Sequence, residues 1–121
     1  MAAISTYLAN EILNGNLPSG GTYLALHTED PTAAGSGAEV SGGSYARSTI
    51  DTWGSISNGQ VANDSSVAFA DLPTCVVSHL SIWDASTAGN MLFYGALDDP
   101  ISVTSGESLL FAVGDLTISI I

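Results

Sequence analysis

The chain has 121 residues, of which 45% are apolar and 11% charged, a composition that fits one folded domain and argues against disorder. Twelve acidic residues stand against a single Arg and no Lys, so the formal net charge is −11. This balance excludes binding of nucleic acid through a basic face, and it opposes attachment to an anionic membrane surface.

The cysteine content and the lengths of the apolar runs argue against a disulfide-bonded, zinc-binding or membrane-spanning protein. Cys75 is the only cysteine, so neither an intrachain disulfide nor a Cys-based zinc site is available, and its apolar neighbours predict a buried thiol. No basic segment precedes an apolar run near residue 1, and no apolar run is long enough to cross a bilayer. We therefore expect a soluble protein that is made in a cytoplasm.

The first predicted element is a short helix over residues 2–14. Ile4, Tyr7, Leu8 and Ile12 lie on one stripe at helical spacing, Gly15 stands at the position of a C-terminal cap, and a proline follows three residues later. So short a helix needs a docking surface, and the sequence leaves open whether its own sheet or a neighbouring subunit provides it. We assign residues 1–19 to an N-terminal helix or arm, and residues 20–121 to a β-sandwich within the same single domain.

The rest of the chain alternates in period two between turn residues, which predicts about eight strands. The segments are 22–27, 44–50 with 52–56 continuing or turning from it, 60–62, 66–69, 75–84, 91–94, 101–104, 108–113 and 116–120. Short strands at near-regular spacing are typical of an all-β fold, here an antiparallel β-sandwich or jelly roll with a short N-terminal helix.

Several connections have recognisable turn chemistry. Residues 77–97 predict a hairpin in which Gly89 or Asn90 adopts positive φ, and Asn58-Gly59 is the strongest short turn signal. Residues 98–100, Asp-Asp-Pro, predict a turn between two strands. Residues 28–43 are rich in Gly, Ser, Ala and acidic residues, and we interpret them as a long contact loop.

Side chains that could perform chemistry are few and poorly spaced. His27 and His79 are the only histidines, and no third metal ligand stands at a useful spacing. The acidic pairs at 29–30 and 98–99 precede prolines, where turn formation explains them better than calcium binding. No nucleophile elbow or phosphate loop occurs. We expect no enzyme activity, no catalytic residue, no metal and no cofactor.

The single cation and the two tryptophans favour structural roles. Arg47 shares a strand face with Tyr45 and should pair with a carboxylate, either within the chain or on a neighbouring subunit. Trp53 and Trp83 are interpreted as core residues, Trp83 in particular because of its place in the strongest strand.

Four stretches, LALHTEDP (24–31), EVSGGSYAR (39–47), HLSIWDASTAGNMLFYGAL (79–97) and SGESLLFAVGDLTISI (105–120), occur in an order that resembles a family of small virion proteins of tailed bacteriophages. Members are often labelled tail fibre proteins or head decoration (cement) proteins. The resemblance covers nearly the whole chain. It implies a β-sandwich or jelly roll that acts through assembly, as a trimer on the outside of the phage head that bridges major capsid proteins and stabilises their lattice.

On this hypothesis the contact elements are the N-terminal segment and the 29–44 loop with the strand after it. The candidate interface residues are Ile4, Tyr7, Leu8, Glu29, Asp30, Tyr45 and Arg47. Alternatives stay open: a tail-associated or tail fibre subunit, or a receptor- or carbohydrate-binding module with Trp53 or Tyr94 as stacking platform. An enzyme with His27 or His79 beside carboxylates ranks last.

Overall fold

A computed structural model describes residues 2–18 and 20–121, and these form one helix and eight strands. Met1 and Ser19, both within the predicted arm of residues 1–19, lie outside the described residues. The helix is α1 (Thr6–Asn16), and the strands are β1 (Thr22–His27), β2 (Ser48–Ile50), β3 (Gln60–Ala62), β4 (Val67–Phe69), β5 (Cys75–Trp83), β6 (Met91–Val103), β7 (Leu109–Phe111) and β8 (Thr117–Ser119). The predicted all-β class with an N-terminal helix is confirmed.

All strand pairs are antiparallel, and they form two layers with sandwich-like packing. One layer is a four-stranded sheet in the order β2-β1-β5-β6, and the other consists of the ladders β3-β8 and β4-β7. Apolar side chains from both layers share one core with the helix. Its most deeply buried members are Leu13, Leu24, Leu26, Ile50, Leu72, Val67 and Val77.

The predicted hairpin over residues 77–97 is confirmed as the β5-β6 pair. Gly89 has φ +77° in the connecting loop, as predicted, and Ala88 also adopts positive φ. Asn58 and Gly59 have φ of +53° and +69°, which matches the primed turn that this dipeptide favours. Local turn chemistry therefore determines these two chain reversals.

The predicted turn at residues 98–100 is wrong, because β6 continues through it to Val103. Proline is tolerated there since β6 is an edge strand of the sheet, where a residue without an N–H loses no ladder hydrogen bond. The pairing with β5 shifts register here, because Val77 lies opposite Ile101 and His79 lies opposite Ala96. The extra residues of this irregularity, 97–100, therefore lie in β6 itself and include the proline.

The predicted strand over residues 44–50, with 52–56 continuing it or turning from it, is also shorter than expected, since only Ser48–Ile50 is a strand. Gly42 and Gly43 both have positive φ, and the amide of Tyr45 donates to the carbonyl of Gly42, so the chain turns before it becomes extended. After Ile50 the chain leaves β1 and pairs irregularly, with Trp53 opposite Asn63.

Helix α1 begins four residues later than predicted and buries a different face. Ser5 caps it by accepting from the Leu8 amide at 3.2 Å, and Gly15 lies inside it. The buried positions are Ala9 and Leu13, spaced by four residues, and not the predicted stripe. The small Ala9 side chain allows close approach to the 58–59 turn. The helix therefore docks on its own chain.

Candidate functional site

The most highly connected polar cluster surrounds Arg47. Its guanidinium donates to both carboxylate oxygens of Glu39, from Nε to Oε2 and from Nη2 to Oε1, each at 3.1 Å. Nη1 donates to the carbonyls of Ala85 at 3.1 Å and Ala88 at 2.8 Å. The guanidinium carbon lies 4.0 Å from the centre of the Trp83 ring. Only 8% of the Arg47 side chain is exposed, so the cation serves the chain's own interior.

Tyr45 connects this cluster to the sheet edge. Its hydroxyl donates to Oε2 of Glu39 at 2.6 Å and accepts from the amide of Leu26 at 3.1 Å. That amide is available because β2 pairs with β1 only as far as Leu24. The Tyr45 ring stacks on Phe69 with centroids 6.0 Å apart. The Tyr45 hydroxyl thus accepts a hydrogen bond from β1 at a position that β2 is too short to reach.

The two acidic groups of the cluster are perturbed in opposite directions. Burial alone would raise the pKa of Glu39, but hydrogen bonds from Arg47 and Tyr45 outweigh it and hold that pKa below its usual value. Burial raises the pKa of Tyr45 well above its usual range, and its hydrogen bond to Glu39 adds to the effect. At neutral pH the cluster therefore holds an ionised pair and a neutral phenol.

A second polar chain adjoins the same tryptophan. Ser81 Oγ accepts from Trp83 Nε1 at 2.7 Å and lies 2.6 Å from His27 Nε2. His27 is 1% exposed, and among the described residues its Nδ1 has no hydrogen-bond partner. Burial lowers the pKa of His27, and the nearby Glu39 only partly opposes that effect. The imidazole is thus held neutral inside the protein.

The cluster fixes the long 28–43 segment as a cover over the outer face of the four-stranded sheet. The amide of Val40 donates to the carbonyl of Leu26 in β1, and the amide of Thr28 donates to the carbonyl of Ala38. The end of the segment therefore returns to lie beside its beginning. A Cβ at Gly37 would lie 2.2 Å from the carbonyl oxygen of Asp30, which explains glycine there. The predicted contact loop is a packed lid with an exposed tip.

The seven candidate interface residues occupy three separate parts of the fold. Tyr7 and Leu8 are exposed by 74% and 49% on the solvent side of α1, and Ile4 just before the helix is half-buried. Glu29 and Asp30 are exposed at the start of the lid. Tyr45 and Arg47 belong to the internal cluster, which settles the open choice for Arg47 in favour of a carboxylate of its own chain.

The residues considered for other functions are dispersed as well. His79 lies opposite His27 in the β1-β5 register, but its Nδ1 is bonded to Ser78 Oγ at 2.8 Å. In residues 2–18 and 20–121 no group of three potential metal ligands occurs. Cys75 is half-buried rather than buried, and burial raises the pKa of its thiol. No helix among the described residues has the length and apolar character to span a membrane.

The large aromatic side chains considered as core residues or stacking platforms differ in their burial. Trp53 is half-buried against the core and donates from Nε1 to Thr22 Oγ1 at 3.0 Å. Trp83 is 9% exposed, which confirms its predicted place in the core. Tyr94 is 47% exposed and lines a cleft of about 350 Å³ between the two layers. Of the two predicted platforms, Tyr94 lines this cleft and Trp53 does not.

That cleft opens where β6 and β8 end their respective layers. Leu80, Phe93 and Leu97 line it from the four-stranded sheet, and Leu116 and Ile118 line it from the opposite layer. Two carboxylates, Asp98 and Asp115, also border it.

Asn63 is a buried residue whose importance sequence reasoning missed. Its side chain donates to the carbonyls of Ser65 and Ala112 and accepts from the amides of Gly114 and Leu116, at 2.7 to 3.0 Å. These bonds join the β3-β8 ladder to the β4-β7 ladder, where the chain passes from β3 to β4 and from β7 to β8. The Asn-Asp-Ser sequence suggested only a turn or bulge, and three of the four partners of Asn63 lie about 50 residues away.

Comparison with known proteins identifies the family. The family model described as "Podophage GP4 fiber I protein gp80" matches residues 3–119 of the chain, which is nearly all of it. No curated protein matches the sequence. The match supports the resemblance to virion proteins that the strand and turn signatures carried. The chain therefore belongs to the Podophage GP4 fiber I protein gp80 family, a family of structural proteins of tailed-phage particles.

Proposed function

We propose that this chain is an external structural subunit of a tailed-phage particle and that it acts through protein interfaces, first as a subunit of a fibre. The family description, a fibre protein, supports that assignment. The proposal rests on the contrast between polar side chains that are paired inside the chain and apolar side chains that are exposed on its surface. Arg47, Glu39 and Tyr45 are engaged with one another inside the chain, while large apolar side chains are left exposed.

Two groups of exposed apolar residues lie on the solvent side of α1 and beside the β4-β7 ladder. Tyr7 and Leu8 are adjacent on the helix, and on the ladder side Leu110 and Val113 are exposed by 62% and 58%. Such residues gain free energy when another subunit covers them, at roughly 25 cal/mol per Å² of apolar area removed from water. We propose that the helix face mediates self-association, with a trimer as the assembly.

Head decoration is the second candidate, in which copies sit on the outside of the head and bind the major capsid protein. The anionic surface favours it over a position beside packaged DNA, because the net charge is −11 and the single Arg is buried. Binding only to the assembled lattice would stabilise the head by mass action. In either case the chain is made in the host cytoplasm and ends on the particle exterior.

Immunogold electron microscopy of the phage that encodes this chain tests the proposal. Antibodies raised against the purified protein should label fibres if it is a fibre subunit, and the head surface if it decorates the capsid. Absence of label from intact particles would contradict an external position. As a second test, purified protein should bind heads that lack it and raise their melting temperature only in the decoration case. Light scattering of the free protein should give the mass of a trimer.

A further inference from the structure

We propose that the cleft between β6 and β8 binds an extended, apolar segment of another protein that carries Lys or Arg, by adding a strand to the free edge of β6. The chemistry of the cleft carries this inference. Leu80, Phe93 and Leu97 line one wall as half-buried apolar side chains, and Leu116 lines the other. A strand added here would bury its alternate side chains between the layers.

The edge of β6 is protected in one half only. β6 ends the sheet, so among the described residues its outer N–H and C=O groups have no strand partner. Edge strands are commonly guarded by charges and proline, and residues 98–100 supply both. Residues 91–97 supply neither, and these are the residues beside the cleft. The unguarded half of the edge and the apolar cleft coincide.

Gly95 creates the space in the middle of the cleft. It lies opposite Leu80 in the β5-β6 register, and a Cβ added to it would meet nothing within 4 Å. Its φ is not positive, so the backbone does not require glycine. Neither the backbone conformation nor nearby atoms require glycine at this position. Because Gly95 has no side chain, the side chain of Leu80 is accessible to a residue of an incoming strand.

Charge decides between the possible occupants. Asp98 and Asp115 border the cleft, and Asp99 follows Asp98 on the same strand. A second copy of this chain has no Lys, and its Arg47 is buried, so it offers no side-chain cation to these carboxylates. A segment with Lys or Arg on either side of an apolar stretch complements both features. The partner is therefore a different, more basic chain.

The test uses a fluorescein-labelled peptide, Lys-Val-Ser-Val-Ser-Ile-Ser-Val-Lys, and the full-length protein, with binding followed by fluorescence anisotropy. One comparison peptide replaces each Lys with Glu, and another places Pro at alternate positions so that strand pairing is impossible. The Lys peptide should bind at least about tenfold more tightly than either, since like charges and lost main-chain bonds both oppose binding. Its affinity should fall as salt rises from about 0.05 to 0.5 M.

Variants locate the site. Gly95→Phe fills the cleft and should weaken binding at least about tenfold, Gly95→Val should weaken it less, and Asp98→Asn should flatten the salt dependence. Ser102→Phe, at an exposed position farther along the same strand, is the matched control and should bind normally. Circular dichroism melting confirms that each variant is folded.

Some outcomes would overturn the inference. These are equal binding of all three peptides, binding unaffected by Gly95→Phe, or no binding at all. Self-association abolished by Gly95→Phe would assign the cleft to a second copy instead. Only the source of the natural segment, another virion protein, rests on the proposed function. Peptide binding and particle labelling are read separately, so either can fail alone.

Discussion

The substitution Arg47→Met should destabilise the protein by about 3 kcal/mol, because it removes one partner from a nearly buried ion pair. The change deletes two hydrogen bonds to Glu39 and two to the loop after β5, and it removes the cation from the face of Trp83. Met keeps most of the apolar contact of the long side chain with the ring. What is lost is therefore mainly electrostatic.

The magnitude follows from the burial of the two partners. Breaking a fully buried pair costs about 3–5 kcal/mol, since the remaining charge has no compensation. The Glu39 side chain is 29% exposed, so water recovers part of this cost and reduces it to about 2 kcal/mol. Loss of the cation–aromatic contact adds about 1 kcal/mol.

Urea denaturation of four proteins measures the effect: the parent, Arg47→Met, Glu39→Gln and the double variant. The losses of stability in the two single variants should add up to more than the loss in the double variant. The difference, which is the coupling free energy of the pair, should be about 1–2 kcal/mol. Ser44→Ala is a control, because it removes an exposed hydrogen bond to Asp71 in the same segment and should cost about 0.5 kcal/mol. A loss below about 1 kcal/mol for Arg47→Met, or strict additivity, would refute the reasoning.

Acid titration of the same proteins gives an independent check. The pKa of Glu39 is lowered in the folded state from an ordinary value of 4.5, so the unfolded state takes up its proton first as pH falls. This contribution to stability is complete above about pH 4.5 and is lost as the pH falls through the folded pKa. In Arg47→Met, burial without compensation should reduce or reverse this dependence.

Further predictions concern other parts of the fold. The parent should lose stability as pH falls from about 6.5 through the folded pKa of His27, which burial has lowered, and His27→Gln should lack this slope in urea titrations. Asn63→Ala should cost about 3 kcal/mol in the same assay, since it leaves several buried backbone groups unpaired. Gly37→Ala should loosen the 28–43 lid, measured as faster amide hydrogen exchange there. Combined Tyr7→Ser and Leu8→Ser should reduce oligomer mass in light scattering while leaving monomer stability within about 0.5 kcal/mol.

Local chemistry made the strands and tight turns predictable. β1 and β3 have the bounds that alternation predicted, and positive φ occurs at Asn58, Gly59 and Gly89 as the turn signals indicated. These features depend on neighbours within a few residues. The predicted turn at residues 98–100 was wrong because it depended on the position of the strand in the sheet. Proline would end a central strand, but it is compatible with an edge strand such as β6.

The polar clusters could not be predicted, because their members meet only through the topology. Glu39 and Arg47 are eight residues apart and could be suspected as a pair, but the Trp83 ring and the carbonyls of the β5-β6 loop come from about 40 residues away. The helix face was misread for a related reason. Apolar spacing favoured Tyr7 and Leu8, yet close approach to the 58–59 turn selected the smaller Ala9.

The position of the single cation determines which charges the surface of this protein offers to the partners proposed above. With the Arg47 guanidinium engaged by Glu39 and two loop carbonyls, the described surface offers carboxylates but no arginine or lysine to answer them. In the proposed self-association, contacts between copies rely on apolar residues such as those of α1, since Arg47 is already paired with Glu39 of its own chain. Contacts that use the acidic rim of the β6-β8 cleft need cations from a different chain. One arginine, placed to hold the lid and the hairpin loop together, thus leaves an acidic surface on which the proposed self-association and the proposed binding of another virion protein require different chemistry.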